Sequence, residues 1–152
     1  MDGFALGRFR SAQERTFAQA HAELKAGRKR SHWMWFIFPQ IRGLGQSETA
    51  RFYGVASSAE AQAYLADSVL GPRLVETSEL TLSHKDMTAR EIFGVPDDLK
   101  LRSCATLFAS VPDAPPVFQR VLDRFFAGAA DERTLALLHE DPQYLATTRR
   151  GC

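Results

Sequence analysis

Residues whose types and spacing could do chemistry gather between positions 28 and 51. Gly43-Leu44-Gly45-Gln46-Ser47 is a turn ahead of an expected helix from Ser47 to Tyr53. A glycine turn that opens a helix exposes backbone N–H groups at the positive end of the dipole, an arrangement that favours phosphate or carboxylate. Arg42 and Arg51 stand on either side as sources of positive charge. Upstream, Arg28-Lys29-Arg30 leads through Ser31 into His32-Trp33-Met34-Trp35-Phe36-Ile37-Phe38, closed by Pro39-Gln40, so that four aromatics fall in six residues. Trp33 or Trp35 could stack a planar ligand there while the cations hold its phosphates. His32, beside cations that favour a neutral imidazole, is the one candidate acid or base. The expected site for a small anionic, nucleotide-like ligand is thus Arg30, Trp33, Trp35, Gln40, Gly43, Gly45, Ser47 and Arg51, with His32 as its catalytic candidate.

Each of these features also has a plainer account. The glycines permit a tight turn and Ser47 caps the helix. The aromatic block is core, where burial stabilises at ~25 cal/mol per Å². The basic triplet is solvated charge at a helix C-terminus, and His32 is a cap or a hydrogen-bond donor. Two familiar motifs are excluded: Glu48 stands where a dinucleotide fingerprint needs its third glycine, and Gly45-Gln46-Ser47-Glu48-Thr49 lacks the closing glycine of a nucleophile elbow. Histidines at 21, 32, 84 and 139, with Cys104 and Cys152, offer no metal-ligand spacing, so neither metal nor cofactor is expected. His21 reads as a core or interface histidine, His84 and His139 as surface residues, and Cys104 as a buried thiol on an apolar stripe. Asp97 and Asp98 read as a helix start.

The elements that must position these residues are legible from their caps and periods. Ser11 to Glu14, Ser57 to Glu60 and Thr88 to Glu91 have capping-box spacing. Phe17, Ala20, His21 and Leu24 form one helical stripe ending near Gly27; Leu101, Cys104, Ala105, Phe108 and Phe118, Val121, Leu122, Phe125 form two more. A helix from Pro72 to about Ser83 and another from Asp131 to about His139 complete the set. Residues 32–38 are apolar at nearly every position, so no period can be read there, and a short irregular or hairpin segment at 33–42 is the expected exception to an all-α, multi-helical fold.

With 152 residues, 45% hydrophobic and 24% charged, the chain is expected to form one domain over 1–146 with a flexible polar tail at 147–152. Nineteen basic against 18 acidic residues give a formal charge of +1, so nothing global draws it to nucleic acid, and three clustered cations would neutralise few phosphates. Ser31 to Ile41 falls far short of the ~20 apolar residues that span a bilayer, and no signal peptide is recognisable. The expectation is a cytoplasmic, monomeric protein in a reducing compartment with no membrane partner.

Gly27 to Gln40, Gly43-Leu44-Gly45-x-Ser47, Ala50-Arg51-x-Tyr53, Glu60-Ala61-x-Ala63-Tyr64-Leu65, Leu70-Gly71-Pro72-Arg73-Leu74, Ile92-Phe93-Gly94, Asp97-Asp98-x-Lys100-x-x-Ser103 and Thr106-Leu107-Phe108 together resemble the bacterial family called domain of unknown function 1810. The resemblance runs from about Phe9 to Leu138 and implies a small, mainly helical domain with no established activity. Some members carry the label calpastatin; this chain is well patterned and lacks the inhibitory segment that label implies. Two functional readings stand: binding of a small anionic ligand at the central motif, and a non-catalytic protein interaction module that docks through the basic and aromatic segment. No nucleophile is identifiable, so no reaction is assigned.

Overall fold

The computed structural model describes residues 5–142 and 144. The long first helix, α1 (Gly7–Ala26), starts a turn before Ser11, because Leu6 and Phe9 are buried and anchor that extra turn in the core. Ser11 is therefore an exposed residue on the flank of the helix rather than its cap. On the expected stripe Ala20 and Leu24 are fully enclosed, and Phe17 and His21 are half-buried. Gly27 ends α1 in the left-handed region at φ 84°, with its N–H on the last carbonyls. A Cβ at that position would lie 3.0 Å from the Met87 sulfur, so glycine suits both the conformation and the contact.

The aromatic segment folds as one helical turn, α2 (Met34–Ile37), and not as a hairpin. Its side chains are buried on several sides at once, which is why neither period shows in the sequence. The sheet-like element nearby is a single parallel bridge, Ile41 to Val55, closed by Arg42 N–H to Val55 O at 2.8 Å and Val55 N–H to Gln40 O at 2.9 Å. Between the bridged residues runs α3 (Glu48–Tyr53), capped by Ser47, whose hydroxyl accepts from Ala50 N–H at 3.1 Å.

The remaining helices are α4 (Ser58–Ala66), α5 (Leu70–Leu82), α6 (Ala89–Phe93), α7 (Asp97–Ala109), α8 (Val117–Phe126) and α9 (Glu132–His139). The fold is all-α, with nine helices among the described residues. Thr88 and Glu91 form the full reciprocal capping box of α6. Ser57 caps α4, but Glu60 turns its carboxylate to Ala56 N–H and Arg8 instead of completing the box. Asp131 caps α9. Each such cap is worth about 1 kcal/mol. Helix α7 packs on α8, α9, α4 and α6, and α5 bridges α1, α4 and α8. Phe9, Tyr64, Phe108 and Phe118 run through the interior as successive ring contacts of 5.2, 5.2 and 5.7 Å. The tail expected at 147–152 lies outside the described residues.

Two buried polar ties position the surface described below. Gln13, 1% exposed, donates to Phe36 O at 2.7 Å and to the Tyr64 hydroxyl at 3.1 Å, while its own oxygen accepts from Arg73 at 3.3 Å. Arg8 holds Glu60 through two bonds of 3.0 and 3.2 Å and also donates to Ala5 O, Phe52 O and Gly54 O. All five guanidinium donors are used, and the end of α3 is fixed against α1 and α4.

Candidate functional site

The central motif is built around a carboxylate. Glu23, on the last turns of α1, is 5% exposed. It accepts from Arg30 N–H (2.7 Å), Ser31 N–H (3.0 Å), the Ser31 hydroxyl (2.6 Å), the Trp33 indole N–H (2.9 Å) and Gln19 (2.7 Å). Burial pushes its carboxyl up, but the bonds from Ser31, Arg30 and Gln19 outweigh that and hold it at about 2. Lys29, nearly buried, pairs with Asp97 at 2.8 Å, and its ammonium lies 5.0 Å from the Trp33 ring centre. Lys100 reaches the other Asp97 oxygen at 3.3 Å and covers the Trp35 ring at 4.8 Å.

Trp33 is consequently no stacking platform. It is 1% exposed, enclosed by Phe38 and Phe93 at 6.3 and 6.5 Å, and its one polar atom is taken by Glu23. Trp35 is half-buried under Lys100. Arg30 and His32 are exposed, with no side-chain partner among the described residues, and they line none of the clefts described below. Gln40 serves through its backbone oxygen in the bridge to Val55. Asp97 and Asp98 act at the start of α7, Asp98 accepting from Leu99 N–H at 2.9 Å. His84, expected at the surface, is half-buried and bonds the Leu24 carbonyl at 2.6 Å. His21 faces Glu76 at 3.3 Å. Cys104 is enclosed, and burial pushes its thiol well above the ordinary value.

The glycine turn takes the plainer of its two accounts. Gly43 has φ 110° against the Leu137 side chain, and a Cβ on Gly45 would come within 2.6 Å of the Ala50 methyl, so both glycines answer to conformation and packing. The Ser47 hydroxyl is spent on the cap. Arg51 is exposed and makes a single long contact, 3.4 Å to the Gln46 side chain.

Concave surface lies instead between α1 and α3, on the two sides of Phe52. An open cleft of about 450 Å³ is lined by Ser11, Arg15 and Thr16 of α1 and by Phe36, Phe52 and Tyr53. The aromatic members are in ring contact, Phe36 to Tyr53 tilted at 5.1 Å and Phe52 to Tyr53 edge to face at 4.8 Å. A second cleft of about 340 Å³ is lined by Arg8, Arg42, Arg51, Phe52 and Glu60. Phe52 is 57% exposed and belongs to both. Glu60 is occupied by Arg8, whereas Arg15, Arg42 and Arg51 have no carboxylate partner among the described residues. Of the residues expected at the site, then, Arg51 lines this surface, with Gly45 and Ser47 shaping the turn before it.

Sequence reasoning passed over Arg15, Phe52 and Tyr53. One signal was present: positions 7, 8, 11, 12, 15 and 16 share a helical face, and the cleft follows that face. Among the described residues no group of three or more His, Cys, Asp or Glu side chains could hold a metal ion. No helix there is long and apolar enough to cross a membrane.

Comparison with known proteins adds kinship and no activity. The model of the family described as Protein of unknown function (DUF1810) matches residues 3–138. A conserved hypothetical protein from Mycobacterium tuberculosis, Rv1873, known from a crystal structure at 1.38 Å, is 51% identical, with a TM-score of 0.89 over 91% of this chain and 99% of that one. The curated proteins contain no match.

Proposed function

The chain belongs to the DUF1810 family of proteins of unknown function, and from that premise we propose that it binds a small, planar, anionic ligand of nucleotide type in the α1/α3 clefts. The observation that carries the reading is the grouping of three guanidiniums without carboxylate partners, Arg15, Arg42 and Arg51, around an exposed phenylalanine. The fold satisfies its buried carboxylates Glu23 and Glu60, whereas these three exposed guanidiniums have no carboxylate partner among the described residues, and such guanidiniums beside an aromatic ring suit a phosphate attached to a ring. The platform is Phe52 with Tyr53 and Phe36, in place of the tryptophans expected from the sequence. Nothing near His32 recommends it as a catalytic group, and the reading is one of binding.

The interaction-module reading has less to draw on, because Trp33 and Phe38, two of its natural anchors, are in the core. The test is a thermal-shift series with nucleoside mono- and diphosphates on the wild type, Phe52→Ala and Arg15→Ala. A ligand at 100 times its Kd stabilises by about 2.7 kcal/mol, equivalent to roughly 5–10 °C for a chain of this size. The expected result is a shift of that order in the wild type and its loss in both variants. No shift with any nucleotide at millimolar concentration sinks the reading.

A further inference from the structure

The two clefts differ in what they can hold, and resting on the reading above we infer that the ligand straddles Phe52, its ring in the cleft of Ser11, Arg15 and Tyr53 and a diphosphate in the cleft of Arg42 and Arg51, which makes its class a nucleoside diphosphate. The division follows from the linings. Three aromatic side chains meet in the first cleft, with ring centres 4.8 and 5.1 Å apart in sequence, while the second has Phe52 alone. The first also presents polar groups free to meet the edge of a base or a ribose: the Ser11 and Tyr53 hydroxyls and the Arg15 guanidinium lack side-chain partners among the described residues. Base–aromatic stacking tolerates any base, so the platform sets the ring and not its identity.

Charge assigns the other half. In the second cleft Arg8 and Glu60 cancel through their paired bonds at 3.0 and 3.2 Å. What remains is Arg42, with one long contact to Gly54 O at 3.5 Å, and Arg51, with one at 3.4 Å to Gln46. Two guanidiniums with donors to spare match two or more negative charges held close together, as a diphosphate holds them and a monocarboxylate does not. Sharing of Phe52 by both linings makes the two halves neighbours, so one molecule can reach both. The α1 face from Gly7 to Thr16 that borders them extends over roughly 14 Å at 1.5 Å per residue, a run suited to ring, sugar and phosphates in line.

Titration calorimetry of the full chain at fixed ionic strength tests this with adenosine, AMP, ADP, the guanosine counterparts and inorganic pyrophosphate. For the favoured base, Kd is expected to fall about tenfold with each phosphate added, the scale of one charge-assisted contact. The double variant Arg42→Ala/Arg51→Ala, both surface positions, is expected to collapse the ratio between diphosphate and nucleoside from about 100 to near one. Tyr53→Leu is expected to weaken nucleoside and diphosphate in proportion while pyrophosphate binding persists. Thermal unfolding of each variant verifies that it is folded. Equal affinity for nucleoside and diphosphate, a steep series surviving in the double variant, or pyrophosphate binding as tightly as the diphosphates would overturn the straddled placement and leave nucleotide binding standing. Absence of binding by every compound would overturn both.

Discussion

Within the segment from Arg28 to Phe38 the enclosed side chains are already engaged, while Arg30 and His32 stand in solvent: Lys29 is paired with Asp97, Trp33 is closed in by carbon with its one N–H bonded, and Glu23 of α1, to which the segment is tied, accepts five hydrogen bonds. Around Phe52 the same residue types, arginine beside aromatic rings, leave their donors open to solvent. The comparison teaches that concentration of chemistry along a sequence and availability of chemistry on a surface are separate properties. A buried polar group must find a partner or cost free energy, so an interior segment rich in polar and aromatic residues becomes a closed network. A surface group has water as its default partner and can exchange it for a ligand.

Arg8 gives the largest test of this contrast, since it lines both clefts yet behaves like the closed network. Arg8→Met would leave Glu60, 2% exposed, as an unpaired buried carboxylate and release the Phe52 and Gly54 carbonyls. The expected loss in urea unfolding is about 3–5 kcal/mol. Glu23→Ala comes next, at about 3 kcal/mol, because the Trp33 indole N–H and the Arg30 and Ser31 amides lose their acceptor while part of that loop can turn to water. A loss below about 1 kcal/mol for Glu23→Ala would show that the segment is not held in the way its geometry indicates.

A smaller and more specific effect belongs to pH. The Glu23 carboxyl lies at about 2 in the folded chain against an ordinary 4.5, so the unfolded chain takes up its proton first as pH falls. The stabilisation is therefore complete above about 4.5 and is lost as pH drops through about 2. Asp67, also held below the ordinary range, is opposed by burial but favoured by Leu70 and Val69 N–H and by Arg10, and it titrates in the same direction. Comparing wild type with Glu23→Gln isolates the first group: the stability gap between them is expected to narrow steadily as pH is lowered below about 4.5. A gap independent of pH would remove the carboxylate from its assigned role.

What could be read from the sequence was local. Ser47, Thr88 and Asp131 announce their helices because a cap and its target lie three residues apart. The Ser11 box misled for the converse reason: burial of Leu6 and Phe9, a tertiary effect, carried α1 past it. Residues 32–38 gave no period because their partners, Glu23, Phe93 and Gln13, surround the turn from three directions. At the candidate site Arg51 was legible beside its turn. Arg15 and Phe52 were not, because an arginine on a helix flank and a phenylalanine in a six-residue helix become a cleft only when α1 and α3 are brought together, and the Arg8 bond to the Phe52 carbonyl that ties them joins positions 44 residues apart.

The smallest expected effect on stability is the one that separates the two regions most sharply. Arg15→Ala, Arg51→Ala and Phe52→Ala each remove a side chain that the fold does not use for a buried bond, so each is expected to alter unfolding free energy by no more than about 0.5 kcal/mol. Phe52 is the severest case, since its ring touches Tyr53 at 4.8 Å, and truncation removes one edge contact while exposing little that was hidden. Equilibrium urea unfolding of the three variants beside Glu23→Ala supplies the measurement. Should Phe52→Ala cost as much as Glu23→Ala, the ring would be a structural prop and its exposure incidental. Should it cost almost nothing, a large apolar side chain is being kept at the surface, between unpaired arginines, without a folding reason, and its reason lies in what it meets there.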